Sequence, residues 1–212
     1  MESRGCSQSV GEEIANSVSH GIACLAAVAV VPILVSAAVK RGGAAGIVGA
    51  SVFAATMVLL FLASTIYHGL PRNRAKRVFK VLDHGAIYLF IAGTYTPFTL
   101  GVLRGAWGWT LLGIIWCMAF IGVVLKSVGG VRNATISTWV YLGMGWLILI
   151  AIKPLWLQVP QGLFWLVAGG VAYTTGAVIY AANRFEYAHF VWHLFVIVGV
   201  VSHFIAVLWY AA

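Results

Sequence analysis

The chain has 212 residues, of which 62% are hydrophobic and only 8% charged, with a mean hydropathy of +0.98. Soluble domains carry about 25% charged residues, so this composition argues against a soluble enzyme, a disordered tail or a nucleic-acid-binding domain. It fits one polytopic membrane domain. The net charge of +8 arises from 13 basic and 5 acidic residues, and most of the basic ones sit in short connectors, where they orient a chain in a bilayer.

A transmembrane helix needs about 20 mainly apolar residues. After a cytoplasmic N-terminal segment at 1–17, the sequence predicts an all-α domain over 18–211 with seven spans: 18–39, 44–69, 81–101, 107–126, 135–153, 162–182 and 189–211. The first run ends near Val35-Ser36-Ala37, which resembles a signal cleavage site. The 17 residues before it hold Glu2, Glu12 and Glu13 against Arg4, and a secretory signal needs a positive n-region. The run therefore reads as a retained first span. In the second span Ala45/Gly49 and Gly46/Ala50, spaced by four, permit close helix approach. Thr94-Tyr95-Thr96-Pro97 predicts a kink in the third span, its hydroxyls satisfying freed carbonyls. Short connectors such as Lys40-Arg41-Gly42-Gly43, Pro71-Arg72-Asn73-Arg74 and Gly129-Gly130-Val131-Arg132 force successive helices to run antiparallel.

Orientation follows from the basic residues near the span ends. Arg4, Arg72, Arg74, Lys76, Arg77, Lys80, Lys126, Arg132 and Arg184 fall on the N-terminal side, against Lys40, Arg41, Arg104 and Lys153 on the other. The N-terminus is predicted cytoplasmic and the C-terminus outside, in the cytoplasmic (inner) membrane. Trp107, Trp109, Trp156, Trp165 and Trp209 lie near the outer ends, as an interfacial belt does. Cys24 and Cys117 fall inside apolar runs and read as small core residues; Cys6 leaves an odd number with no paired spacing.

Ionisable side chains within spans are costly and mark functional sites by default. Here they are Glu13, His20, His68, Asp83, His84, Glu186, His189, His193 and His203. His68 ends the second span, Asp83 and His84 open the third, His189 and His193 open the seventh, and Glu13, Asn16 and His20 precede or open the first. In an alternating bundle the end of an even span and the starts of odd spans share one side, so these groups form one layer near the cytoplasm. His189-Phe-Val-Trp-His193 is an i,i+4 pair with both imidazoles on one face. That spacing lets two nitrogens reach one ion, and His68 supplies a third. Three imidazoles with one open position form the usual catalytic zinc arrangement, and imidazole favours Zn²⁺ over Mg²⁺ or Ca²⁺. Asp83, the only aspartate, stands where it could hold or deprotonate water at such a site. Ser64, one turn before His68, could orient that ligand or bond a substrate. Glu13, Asn16, His20 and His84 are accessory candidates. Hydrogen bonding between helices is the alternative account of His20 and His84, and a charge near a helix N-terminus that of Glu13. His203, ten residues beyond His193, lies roughly 15 Å deeper and reads as packing or a hydrogen bond.

These motifs together resemble the bacterial hemolysin III branch of the progestin and adipoQ receptor (PAQR) family. The resemblance is carried by Glu13-Ile-Ala-Asn16-Ser17-Val-Ser-His20-Gly21, Ser64-Thr-Ile-Tyr-His68, Asp83-His84, Ala92-Gly-Thr-Tyr-Thr-Pro97 and His189-Phe-Val-Trp-His193 followed by His203, in the family's order over nearly the whole chain. The family looks related to a wider group of seven-span membrane hydrolases, including alkaline ceramidases, that shares Ser-x-x-x-His, an Asp and His-x-x-x-His. The resemblance implies Zn²⁺ on His68, His189 and His193, Asp83 acting on the water and Ser64 nearby. The expected activity is zinc-dependent hydrolysis of a lipid amide or ester, with membrane lipids as partners and no nucleic acid. The alternatives are a non-enzymatic channel or membrane-homeostasis protein with a structural or absent metal and, less favoured, a bis-histidine haem protein.

Overall fold

The computed structural model describes residues 8–41, 43–129, 134–182 and 185–211. Cys6, Arg4, Arg132 and Arg184 lie outside the described residues. Helices α1 (Val10–Arg41), α2 (Gly43–Gly69) and α3 (Arg74–Pro97) are followed by a π-helical stretch, Phe98–Val102, then α4 (Gly105–Ser127) and α5 (Ala134–Trp146). A 3₁₀ stretch (Leu147–Ala151) joins α5 to α6 (Ile152–Gln158), and α7 (Pro160–Ala182) and α8 (Ala188–Tyr210) complete the chain. Seven of these segments are long and apolar enough to cross a bilayer, the fifth being Ile136–Gln158. Among the described residues there is no strand. The chain is a multi-pass, all-α membrane protein.

Large apolar side chains such as Ile22, Leu25, Trp109, Phe120 and Phe164 point outward, as lipid-facing residues do. The interior is close-packed through small residues. A Cβ on Gly49 of α2 would lie 2.6 Å from Pro97 Cα, so the spaced small residues of that helix are packing sites. Gly43, at φ +59°, makes the turn from α1 into α2, a conformation that L side chains rarely adopt. Cys24 is partly buried and packs against the core, whereas Cys117 is exposed and is not the core residue expected; α4 turns Cys117 to its outer face.

Three helix boundaries differ from expectation. α1 begins at Val10 rather than 18 because its first turns are polar yet helical, burying Glu12, Asn16 and His20 in one i,i+4 stripe. α3 begins at Arg74 rather than 81, with the Asn73 side chain accepting from Lys76 N at 2.9 Å as an N-cap. Asp83 and His84 therefore sit more than two turns inside α3 and do not open it. The fifth span is broken: Tyr95 Oη lies 2.7 Å from Met144 O and 2.9 Å from Gly145 O, drawing those carbonyls away from their helical partners, and Pro154 offers no N–H. The kink expected at Pro97 takes π-helical form. Pro97 cannot donate to the preceding turn, and the Thr96 and Thr99 hydroxyls donate to Ala92 O and Tyr95 O at 2.9 and 3.0 Å.

Candidate metal centre

The end of α2 and the first two turns of α8 bring His68, His189 and His193 together. One ligand nitrogen from each lies within 4.8 Å of the other two. Their ring centroids form a nearly equilateral triangle of 4.7, 4.9 and 5.0 Å. Three imidazoles on one tetrahedral ion at 2.0–2.1 Å would place their centroids about 5 Å apart, so the rings fit a single small cation. The i,i+4 spacing on α8 puts His189 Nε2 3.0 Å from His193 Nε2.

The donor chemistry agrees with the spacing. Glu13 Oε2 lies 2.8 Å from His68 Nδ1. An ionised carboxylate only accepts, so Nδ1 carries the proton and Nε2 keeps its lone pair. That Nε2 is buried and has no hydrogen-bond partner, which is the state of a ligand atom aimed at a cation. A carboxylate behind a histidine is the usual outer-shell partner of a metal ligand. Lys76 Nζ, 2.9 Å from Glu13 Oε1, neutralises the carboxylate from its other side.

His189 is held by the same end of α1. Its backbone N–H donates to Glu12 Oε1 at 3.1 Å, and the Gln8 side-chain amide sits 2.6 Å from its Nδ1. The atom placed there is the amide nitrogen Nε2, which donates to Nδ1; exchanging the amide's nitrogen and oxygen, which are nearly the same shape, would let Nδ1–H donate and leave the ring's Nε2 to bind. His20 stacks on His193, with centroids 3.7 Å apart at 13°. Neither ring nitrogen of His20 has a hydrogen-bond partner, so its contacts are this stack and an edge contact with Phe61, and the hydrogen-bonded bridge given as the alternative is not formed. Asn16, one turn earlier, is fully buried.

Asp83 and Ser64 stand beside the histidines and outside the three-donor set. Both residues line one cavity with His20, His189 and His193. His84 is turned back on its own helix, its Nδ1 2.7 Å from Lys80 O. His203 Nε2 lies 3.2 Å from Leu166 O and takes no part in the triad. Sequence reasoning names Glu13 without its partner and misses Gln8, Glu12 and Lys76. In the sequence Lys76 is one of several basic residues in a connector, and nothing in the local pattern distinguishes Glu12 from its neighbour.

The cavity runs from Ser64, Asp83 and the histidines inward to Phe98, Ile148 and Leu166. Along α3 it extends from Asp83 to Phe98, about 22 Å at 1.5 Å per residue. Its wall is mainly apolar. His68 lines a second cleft, between α1 and the α2–α3 connection, edged by Gln8, Glu13, Ser17, Arg72 and Lys76.

A model of the family described as "Haemolysin-III related" matches residues 8–204. The chain is 44% identical to "Hemolysin-3" of Bacillus cereus over 204 residues, covering 96% of this chain and 93% of that protein. It is 41% identical to a "Hemolysin-3 homolog" of Bacillus subtilis (strain 168) over 202 residues, 95% of each chain. A more distant relative is the human "Monocyte to macrophage differentiation factor", 28% identical over 158 residues, 70% of this chain and 64% of that one. With the seven spans and the ordered polar motifs in place, the chain belongs to the haemolysin III-related family, within the PAQR proteins that its motifs resemble.

Proposed function

We propose that this protein is a zinc-dependent hydrolase of a lipid amide or ester in the cytoplasmic membrane, with its N-terminus and metal centre on the cytoplasmic side. The observation that carries the reading is the convergence of three imidazoles, two of which, His189 and His193, share one end of a long apolar cavity with Asp83 and Ser64. Membrane lipids are the partners this geometry fits, and nucleic acid is not. His68, His189 and His193 would hold the zinc, which would supply Lewis acidity toward a carbonyl and lower the pKa of water.

The rest of the chemistry belongs to the side chains. The Asp83 carboxylate takes the proton of the attacking water and returns it to the leaving nitrogen or oxygen. The Ser64 hydroxyl, on the same cavity wall as Asp83, donates its one proton to the substrate carbonyl. The apolar wall from Ile87 and Ile91 to Phe98 holds the lipid chain and excludes water from it. The cleft lined by His68, Glu13 and Lys76 admits water to the histidines.

The Bacillus relatives carry the name hemolysin. A wall this apolar suits a lipid chain better than a conducted ion, whose passage calls for carbonyl or charged rings. The test is elemental analysis of detergent-purified protein beside His68→Ala and His189→Ala, followed by a panel of lipid amides and esters. About one zinc per chain, lost in both variants together with hydrolysis, is the expected result. Wild-type protein that neither contains nor takes up zinc, or hydrolysis persisting in zinc-free His189→Ala, refutes the reading.

A further inference from the structure

The inner part of the cavity is not uniformly apolar. Tyr173 of α7 and His203 of α8 both line it, with ring centroids 5.3 Å apart. Tyr173 Oη and His203 Nδ1 are buried and lack any hydrogen-bond partner. A buried polar atom left unpaired costs about 1–3 kcal/mol, and native interiors leave few of them. Two such atoms on one cavity wall therefore point to a missing partner.

The rings are built into place. A Cβ on Gly169 of α7 would come 2.6 Å from His203 Nε2, and one on Gly199 of α8 would come 2.5 Å from Tyr173 Cζ. Each ring thus occupies the space left by a glycine on the other helix. The hydrogen-bonding character is fixed as well. His203 Nε2 faces Leu166 O at 3.2 Å, so Nε2–H donates and Nδ1 of the neutral ring is an acceptor. Tyr173 Oη can donate. A donor and an acceptor on two touching rings match a hydroxyl group, which accepts from Tyr173 and donates to His203. A methyl terminus satisfies neither atom.

We propose that Tyr173 and His203 form a second subsite, which receives a hydroxyl carried near the far end of a lipid chain whose carbonyl end lies at the histidine layer. His203 follows His193 by ten residues and His189 by fourteen, which is about 15 and 21 Å along α8. An extended chain advances about 1.25 Å per carbon, so the two ends are bridged by roughly 12 to 17 carbons. The inference rests on the reading of this cavity as a lipid-chain site, and it requires neither the metal nor turnover.

The experiment measures displacement of a fluorescent fatty acid from the full-length purified protein by dodecanoic, tetradecanoic and hexadecanoic acids. Each is compared with its ω-hydroxy counterpart. The readout is the affinity ratio of hydroxylated to plain acid in wild type, divided by the same ratio in Tyr173→Phe, so that detergent partitioning cancels. A double ratio of about ten at the chain length that spans the distance is expected, with a similar value when His203→Phe is the reference. A double ratio near one at every length, with the plain acids still bound, overturns the subsite alone. Failure of all the acids to bind overturns the lipid-chain reading of the cavity and the subsite with it.

Discussion

Replacing Glu13 separates the aim of a metal ligand from its presence. Glu13 supplies no donor to the ion, yet its Oε2 lies 2.8 Å from His68 Nδ1 and its Oε1 2.9 Å from Lys76 Nζ. Glutamine at this position can still accept from Nδ1–H, so the tautomer and the ring orientation survive. What disappears is the negative charge that raises the basicity of Nε2. Removing an outer-shell partner of this kind typically lowers metal affinity 10–100-fold, or about 1.4–2.7 kcal/mol. Glu13→Gln is expected near tenfold, and Glu13→Ala, which also releases the ring, near a hundredfold. Lys76→Met keeps the carboxylate on His68 and is expected to change affinity less than either. The assay is competition for zinc against a chromophoric chelator in detergent, with circular dichroism confirming equal helix content. Zinc affinity in Glu13→Ala within twofold of wild type refutes the claim that this carboxylate supports the centre.

Asp83→Asn should retain about one zinc per chain while losing hydrolysis 10²-fold or more, the usual contribution of a positioned general base; equal turnover in the variant excludes Asp83 as the proton acceptor. Gly49→Ala should destabilise the bundle by about 1–3 kcal/mol through overpacking, because its Cβ would sit 2.6 Å from Pro97 Cα. Gly113→Ala, on a helix face with nothing within 4 Å of the added carbon, should be neutral or stabilising by up to about 1 kcal/mol, and thermal unfolding in detergent compares the two. Cysteines introduced singly at Arg72 and Trp156 in a cysteine-free background should label from opposite sides of the membrane, with Arg72 reached only from the cytoplasm. Labelling of Arg72→Cys from outside intact cells would reverse the proposed orientation.

Seven spans were legible because a run of about 20 apolar residues matches the thickness of a bilayer core and suits little else. The three histidines were legible because parity in an up-down bundle sets the end of α2 beside the start of α8. Helix ends were less so. The first turns of α1 and α3 carry Glu12, Asn16, Arg74 and Lys76, which depress hydropathy without opposing helix formation, although Asn73 offered a capping signal. The break at Leu147–Ala151 was not readable in its own segment. It depends on the hydroxyl of Tyr95, some fifty residues earlier, reaching the carbonyls of Met144 and Gly145. Tyr173 and His203 were equally hidden, since their reciprocal fit against Gly199 and Gly169 needs two helices in register.

The start of α1 explains why the polar motif at Glu13, Asn16 and His20 accompanies histidines that lie far along the chain. α1 contributes no member of the three-donor set, yet each member is touched from it or from the segment just before it. Gln8 faces His189 Nδ1, Glu12 accepts from the His189 backbone, Glu13 faces His68 Nδ1 and His20 stacks on His193. The ligands come from two helices, and an i,i+4 pair on α8 fixes only the spacing of His189 and His193. It does not select which nitrogen is protonated or how each ring is turned. Those choices are made by partners on the ring atoms that face away from the triad, and in this bundle Glu13 at the start of α1 and Gln8 before it supply them, for His68 and His189. An extramembrane tail would have no reason to bury Glu12, Asn16 and His20 in one stripe. A helix that must orient imidazoles on α2 and α8 at once does, which is why α1 runs helical from Val10, well before the apolar stretch that predicted it.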